Sequence, residues 1–387
     1  MVSKLFKKTP LAWLQLTKEK TRVVVALAGI AFADILMFIQ LGFQDALYDA
    51  AIKPHRNLKA DLVLINPQFR TLFSVKSFSR ERLFQTLAYD GVASVSSLYI
   101  ATGQWRNPET RMDRAILVWG MDPASSAFKF PDVEQNLDQI KPLDQVLFDR
   151  AARPEYGAIA DWLKIGRVET EMNNRNLEVR GTFALGASFA ADGNVITSDS
   201  TFLQLFPERK PERIEVGLIT LKPGADPKQV QAQLAAGLPD DVRVLTPEEF
   251  AEVEKTYWAE GTGIGFIFGL GVIMGFVVGI VIVYQILYSD VSDHLPEYAT
   301  LKAMGYSDRY LLLTLMQEAL ILAVLGFVPG FFLALGLYQV TFAATMLPIS
   351  MTSNRAVTVM VLTIVMCFIS GAIAMRKLRA ADPADVF

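Results

Sequence analysis

Four stretches of this chain are apolar over the length of a bilayer, and no other feature restricts its fold so severely. A hydrocarbon core about 30 Å thick needs roughly 20 apolar residues in a helix. The runs 23–42, 263–288, 311–337 and 356–375 meet that length. Backbone polar groups left unpaired in lipid are too costly, so each run is expected to be a helix. Of the 387 residues, 52% are hydrophobic and 20% charged, which is too apolar for a soluble globule and too polar for a bundle of spans alone. The polar remainder is concentrated between the first two runs, at 43–262, a stretch long enough for its own core.

Basic residues set the expected orientation. Lys4, Lys7, Lys8, Lys18, Lys20 and Arg22 precede the first run, and Arg376, Lys377 and Arg379 follow the fourth. By the positive-inside rule the segments 1–22 and 376–387 are cytoplasmic, while 43–262 and the short segment 338–355 lie outside. The loop 289–310 is then cytoplasmic, yet it sets Asp290, Asp293, Glu297 and Asp308 against Lys302 and Arg309. Acidic residues weigh little in orientation, so the topology stands. Ala31-Phe32-Ala33 looks like a leader cleavage site, but the apolar run continues through 35–39, so the first span reads as an uncleaved anchor. Segment 1–22 reads as an amphipathic helix on the cytoplasmic face, with Trp13 at headgroup level.

The outer segment has mixed α/β patterning. Strands are expected at 61–65, 92–100, 215–221 and 242–245, with a helix at 79–89 capped by Ser79 and another after the Asp226 cap and Pro227. The segment therefore begins and ends with a β-α-β unit, and two such units can pair into one split layer. The middle, about 105–206, is richer in turns and short strands, such as 115–120 and 177–183, and reads as an inserted subdomain. No nucleophile elbow is present, and His55 beside a loop proline makes no triad; the scattered carboxylates read as solvated surface. One cysteine, Cys367, excludes an internal disulfide, and two histidines, His55 and His294, argue against a zinc site. A net charge of −3 carries no nucleic-acid signal.

Inside the spans, Gly261, Gly265 and Gly269 recur every four residues, as do Gly271, Gly275 and Gly279. At about 100° per residue all of them fall on one arc of the second helix. That nearly bare face predicts close packing against another span or against its copy in a dimer. Asp34 lies deep in the first span, where a charge facing lipid is expensive, so it is expected to face protein or water. Gln317 and Glu318 stand near the start of the third span, and Pro329-Gly330 predicts a kink late in it.

The loop between spans two and three reads as a short helix: Pro296 suits the first position, Glu297 complements the dipole, Gly305 ends it and Ser307 can cap the next. Its residues Glu297-x-Ala299-x-Leu301-Lys302-Ala303-x-Gly305-Tyr306-Ser307 resemble the signature loop of FtsX/MacB-type ABC permeases. The ending Leu378-x-x-Ala381-Asp382-Pro383-Ala384-Asp385-Val386 is similar to that family's usual C-terminus. Trp13-Leu14-Gln15-Leu16, Gly29-Ile30-Ala31-Phe32-Ala33-Asp34 and the stretch from Leu221 to Asp226 look like the cyanobacterial DevC-type members, exporters of heterocyst glycolipid.

The resemblance implies a membrane α-helical fold of four transmembrane helices with an α+β extracytoplasmic domain, made of porter-like β-α-β units and an inserted subdomain. It implies a homodimer that passes ATP-driven motion outward, served by a separate ABC ATPase subunit, a periplasmic membrane-fusion adaptor and a TolC-like outer-membrane channel. It carries ATPase docking onto Glu297, Leu301, Lys302, Met304 and Gly305. The sequence has no Walker A motif, so ATP and Mg are expected on the partner, with no cofactor or metal on this chain and no enzymatic activity of its own. Two other readings stay open: an FtsX-like activator of a periplasmic hydrolase, and a secondary transporter coupled through Asp34 and Glu318.

Overall fold

The computed structural model describes residues 20–189, 191–345 and 347–380. The amphipathic helix expected over 1–22 thus lies outside the described residues except for its last three, and the C-terminal motif lies outside them from Ala381 onward. The described residues form two compact units, one within 47–263 with 345, 347 and 348, and one of 20–46, 264–344 and 349–380. Helix α1 (Lys20–Arg56) outlasts the first apolar run and contains Pro54, so His55 sits in a helical turn and not beside a loop proline. Lys53 and Arg56 stand in its last turn, where positive charge complements the helix dipole, and burial keeps His55 between them neutral.

The outer unit is built on a nine-stranded sheet. Its strands are β1 (Leu62–Ile65), β2 (Val92–Arg106), β3 (Asp113–Met121), β4 (Gln145–Asp149), β5 (Val168–Met172), β6 (Arg175–Phe183), β7 (Asn194–Ser198), β8 (Val216–Leu221) and β9 (Arg243–Leu245). The order is β9-β1-β8-β2-β3-β7-β4-β6-β5, with β5 also pairing β2. The first four strands of that order are all antiparallel, and they interleave the two expected β-α-β units into one split layer. Helix α2 (Arg80–Gln85) belongs to the first unit and α3 (Pro227–Gly237) to the second. The Asp226 side chain accepts from Lys228 N, as its cap position predicts. Ser79 stands at the N-cap of α2 without a side-chain cap hydrogen bond, and the helix gives way to a 3-10 turn, Thr86–Ala88, so the expected long capped helix is corrected to a short one.

Strand β2 runs unbroken past residue 100 and across the expected subdomain boundary at 105. Its first half pairs β8; its second half pairs β3, and Trp105 and Arg106 face Met172 and Glu171 of β5. The circuit β2-β3-β7-β4-β6-β5 therefore closes on itself, which removes sheet edges from the insertion. Trp105, Val118, Phe148, Val179 and Val195 fill a core shared with the split layer. Helix α4 (Pro247–Ala259), absent from the sequence expectations, starts with a complete capping box: Thr246 accepts from Glu249 N and Glu249 reaches back to the Thr246 backbone.

The second unit contains α1 up to Ala46, α5 (Ile264–Asp293), α6 (Leu295–Ala303), α7 (Asp308–Thr345) and α8 (Ser353–Ala380). Four helices, α1, α5, α7 and α8, are long and apolar enough to cross a membrane. Helix α7 continues through Pro329 and past the expected end at 337. Its buried small residues Ala319, Ala323, Gly326, Gly330 and Ala334 make one close-packing stripe.

Candidate functional site

Helix α6 is a nine-residue segment between α5 and α7, and its exit is tightly specified. Gly305 has φ +91, its N–H donates to Lys302 O at 2.9 Å, and Tyr306 N donates to Leu301 O at 3.1 Å. That pair of bonds is a Schellman motif, which favours glycine because a side chain is strained at positive φ. Ser307 contributes through its carbonyl, which accepts from Tyr310 N at 2.9 Å and so opens α7. Tyr298, 2% exposed, roots α6 among Leu287, Val291, Leu311 and Leu315 of the neighbouring spans, and Ala299 beside it is buried as well. Of the predicted docking residues, Glu297 and Gly305 are exposed and Met304 is 63% exposed. Leu301 is half-buried against the bundle, and Lys302 is half-buried with its ammonium 3.3 Å from Asp308. The outward surface thus also includes Tyr306, quoted in the loop motif without a docking role, and Tyr310, which the motif does not reach; their rings lie 4.8 Å apart.

The acidic residues that violated the charge rule have a tertiary explanation. Arg22 of α1 donates to Asp290 at 3.1 Å and also pairs with Asp293, so two loop-end carboxylates are neutralised from another helix. Asp290 O also lies 3.1 Å from His294 Nδ1.

The glycine rows of α5 separate. A Cβ on Gly271 would strike Gln40, one on Gly275 would meet Met37 and Leu36 at 3.2 and 3.3 Å, and one on Gly279 would strike Met366 and Ala33. These three let α1 approach within the same chain. Gly265 and Gly269 are half-buried, and a Cβ on Gly269 meets nothing within 4 Å. Asp34 is fully buried, as expected of a carboxyl that avoids lipid, with Thr363 Oγ1 of α8 2.5 Å from its Oδ1. Gly330 of α7 makes room for it: a Cβ there would lie 2.9 Å from Asp34 Cβ and 3.2 Å from Ala31 Cα. Glu318 is buried as well, not at an interface.

A second charged lock escaped the sequence reading. Arg355, 4% exposed at the start of α8, holds Asp45 Oδ2 of α1 at 2.6 Å and Ser350 O at 2.6 Å, with its guanidinium 5.6 Å over the Tyr338 ring. Tyr338 in turn donates to Phe38 O at 2.5 Å. A lone arginine at a span entrance was the available signal.

In the outer unit the carboxylates are not all solvated. Asp149, Glu215 and Glu254 are buried, because each serves as an acceptor for donors that folding leaves behind. Asp149 accepts from Leu185 N, Gly186 N and the Asn194 amide. Glu215 accepts from Ile100 N at 3.0 Å and from Arg209 at 3.0 Å; burial pushes its carboxyl up to about 7 against those bonds. Glu254 accepts from Thr71 Oγ1, Leu72 N and Trp258 Nε1, and burial again raises it. His55 lies 3.6 Å from Glu254 and edge-on to Phe250. Each serves as an acceptor for donors brought to it by the fold.

The fold and these contacts define a four-span membrane protein with a mixed-sheet domain between its first two spans. Residues 264–383, which hold α5 to α8 and the short helix α6, match the family described as FtsX-like permease C-terminal. No curated protein matches the chain. Among solved structures, the periplasmic region of MacB from Actinobacillus actinomycetemcomitans is similar at 13% identity, covering 51% of this chain and 94% of that one, with a TM-score of 0.34. The extracellular domain of the noncanonic ABC-type transporter YknZ from Gram-positive bacteria is similar at 12% identity over 48% and 99%, with a TM-score of 0.32. A domain of a putative permease protein from Porphyromonas gingivalis is similar at 14% identity over 50% and 92%, with a TM-score of 0.30. These are distant likenesses.

Proposed function

We propose that this chain is the permease subunit of an ABC-type export machine and that α6 is where a separate ATPase subunit docks. The observation that carries the proposal is a short helix between two spans, rooted by Tyr298, ended by a Schellman turn and presenting Glu297, Met304 and Gly305, all within the FtsX-like match. A helix so fixed moves only with the spans on either side, so force applied to it is passed to them. ATP and Mg are used by the partner. The chain works as a homodimer in the inner membrane, with both termini cytoplasmic and the 43–262 domain in the periplasm facing a membrane-fusion adaptor and a TolC-like channel. Its cargo is a lipid such as a glycolipid, as the DevC-type residues suggest. The burial of Asp34 beneath Gly330, beside Thr363, favours this reading over an ion-coupled transporter, because the carboxyl is enclosed by three helices.

The test is co-purification of the full chain with a co-expressed ABC ATPase subunit from the same organism, scored by ATPase retained and by stimulation of ATP turnover. E297K with M304D, and separately G305A, are expected to lower both at least tenfold. Unchanged retention and turnover in both variants would refute docking at α6. With docking intact, failure of the assembled machine to release lipid from vesicles under ATP would favour the hydrolase-activator reading.

A further inference from the structure

The segment between β1 and α2 is a built loop. Asn66 donates its side-chain amide to Ser77 O at 3.0 Å and accepts from Gln68 N at 2.8 Å, which closes the loop's neck. Thr71 caps the 3-10 turn Leu72–Ser74 and gives its hydroxyl proton to the buried Glu254, while Leu72 N donates to the other carboxylate oxygen. Phe69 stacks near Phe250, ring centroids 5.0 Å apart, so the inner side of the loop is pinned to α4.

Its outer side, with Tyr257 of α4, encloses a cleft of about 540 Å³. The lining includes Gln68, Arg70, Ser74 and Lys76, and no carboxylate. Several cations elsewhere in this unit have acidic partners: Arg82 has Asp241, Arg106 has Asp113 and Glu171, Arg114 has Asp192 and Arg175 has Asp144. Arg70 and Lys76 make no ion pair or side-chain hydrogen bond with any described residue, and the polar side-chain atoms of Gln68, Ser74 and Tyr257 are equally without partners among them. Glu254, bonded to the lining residue Thr71, has three donors already and is buried behind it. The cleft therefore offers two positive charges and a surplus of donors, with nothing negative to satisfy them.

We propose that this cleft binds the phosphate group of an organic phosphate. A guanidinium suits two oxygens of a phosphate at once, and an ammonium adds a point charge. The hydroxyls and the amide provide for the further oxygens that a tetrahedral anion has and a carboxylate lacks. The volume exceeds that of a bare anion and falls in the range of small-molecule sites. Phe73, 66% exposed on the same turn, and the Tyr257 ring supply apolar contact for an attached organic group. The site does not depend on the export reading.

The experiment uses the full chain in a neutral detergent, titrated with inorganic phosphate, with dihexanoyl phosphatidylglycerol and with phosphate-free dihexanoylglycerol, and followed by calorimetry. Wild type is expected to bind at least one of the two phosphates saturably and the neutral glyceride not at all. Saturation by inorganic phosphate identifies a free-anion source; saturation by the phospholipid alone identifies a headgroup. R70Q/K76Q, which alters exposed side chains only, is expected to weaken binding more than tenfold. K129Q/K228Q, which removes the same charge elsewhere on the unit, is expected to leave it within twofold. No saturable binding of either phosphate, equal binding of the neutral glyceride, or equal weakening by the two double variants would overturn the proposal.

Discussion

Replacing Gly330 with alanine tests how closely α1 and α7 pack. The added Cβ would sit 2.9 Å from Asp34 Cβ, 3.2 Å from Ala31 Cα and 3.3 Å from Ala31 O. Two of these are backbone atoms that no rotamer change can move, so the helices must separate. Overpacking of this kind costs about 1–3 kcal/mol. Displacing Asp34 also weakens its bond to Thr363, worth about 0.6 kcal/mol in membrane helices and up to roughly 1.7. Alanine returns about 0.5–1 kcal/mol through helix propensity. The net expectation is a loss of about 1–3 kcal/mol. Gly269→Ala is the internal control, because its Cβ meets nothing within 4 Å and only the propensity gain applies. The assay is reversible unfolding of the full chain in mixed micelles of mild detergent and dodecyl sulfate, followed by far-ultraviolet circular dichroism. If G330A is as stable as G269A, the close approach of α1 to α7 is refuted.

Arg355→Ala removes a buried guanidinium with its bonds to Asp45, Ser350 O and the Tyr338 ring, while Asp45→Asn leaves that buried guanidinium without its counter-charge, so each should cost about 3 kcal/mol in the same assay; a loss under about 1 kcal/mol from Asp45→Asn would contradict the burial of Arg355. For Glu215 the sign is unusual for a carboxylate. Its folded pKa of about 7 lies above the ordinary 4.5, so the unfolded chain releases its proton first and stability is lost as pH rises between those values, by on the order of 3 kcal/mol in total. Glu215→Gln should flatten that slope in pH-dependent unfolding; an unchanged slope would assign it to other groups.

Much of this molecule was legible in one dimension because its causes are local. Bilayer-length apolar runs demand helices whatever surrounds them, and the Pro296-to-Gly305 punctuation specifies α6 with its Schellman exit. The Asp226-Pro227 start of α3 belongs with them, since a cap bonds to residues two positions away. The capping box at Thr246 and Glu249 was equally local and was available in the spacing Thr-x-x-Glu. Gly326 and Gly330 likewise stand four apart, a packing signal overshadowed by the proline between them.

What remained hidden depends on partners far along the chain. Nothing near Asp290 or Asp293 shows that Arg22, more than 260 positions away, neutralises them. Asp45 and Arg355 are 310 residues apart, and Glu254 reads as a surface acid until Thr71, Leu72 and Trp258 close around it. The closure of β2 onto β5 is invisible in strand patterning, because alternation records which side a residue faces and not which strand lies beside it. By itself the sequence determined the spans, their short connecting helix and the split β-α-β plan, all set by hydrophobic length and local hydrogen bonding. Only the tertiary structure decided which charges are paired, which glycine row meets α1 and where unpaired cations gather, since those depend on distances that the fold alone creates.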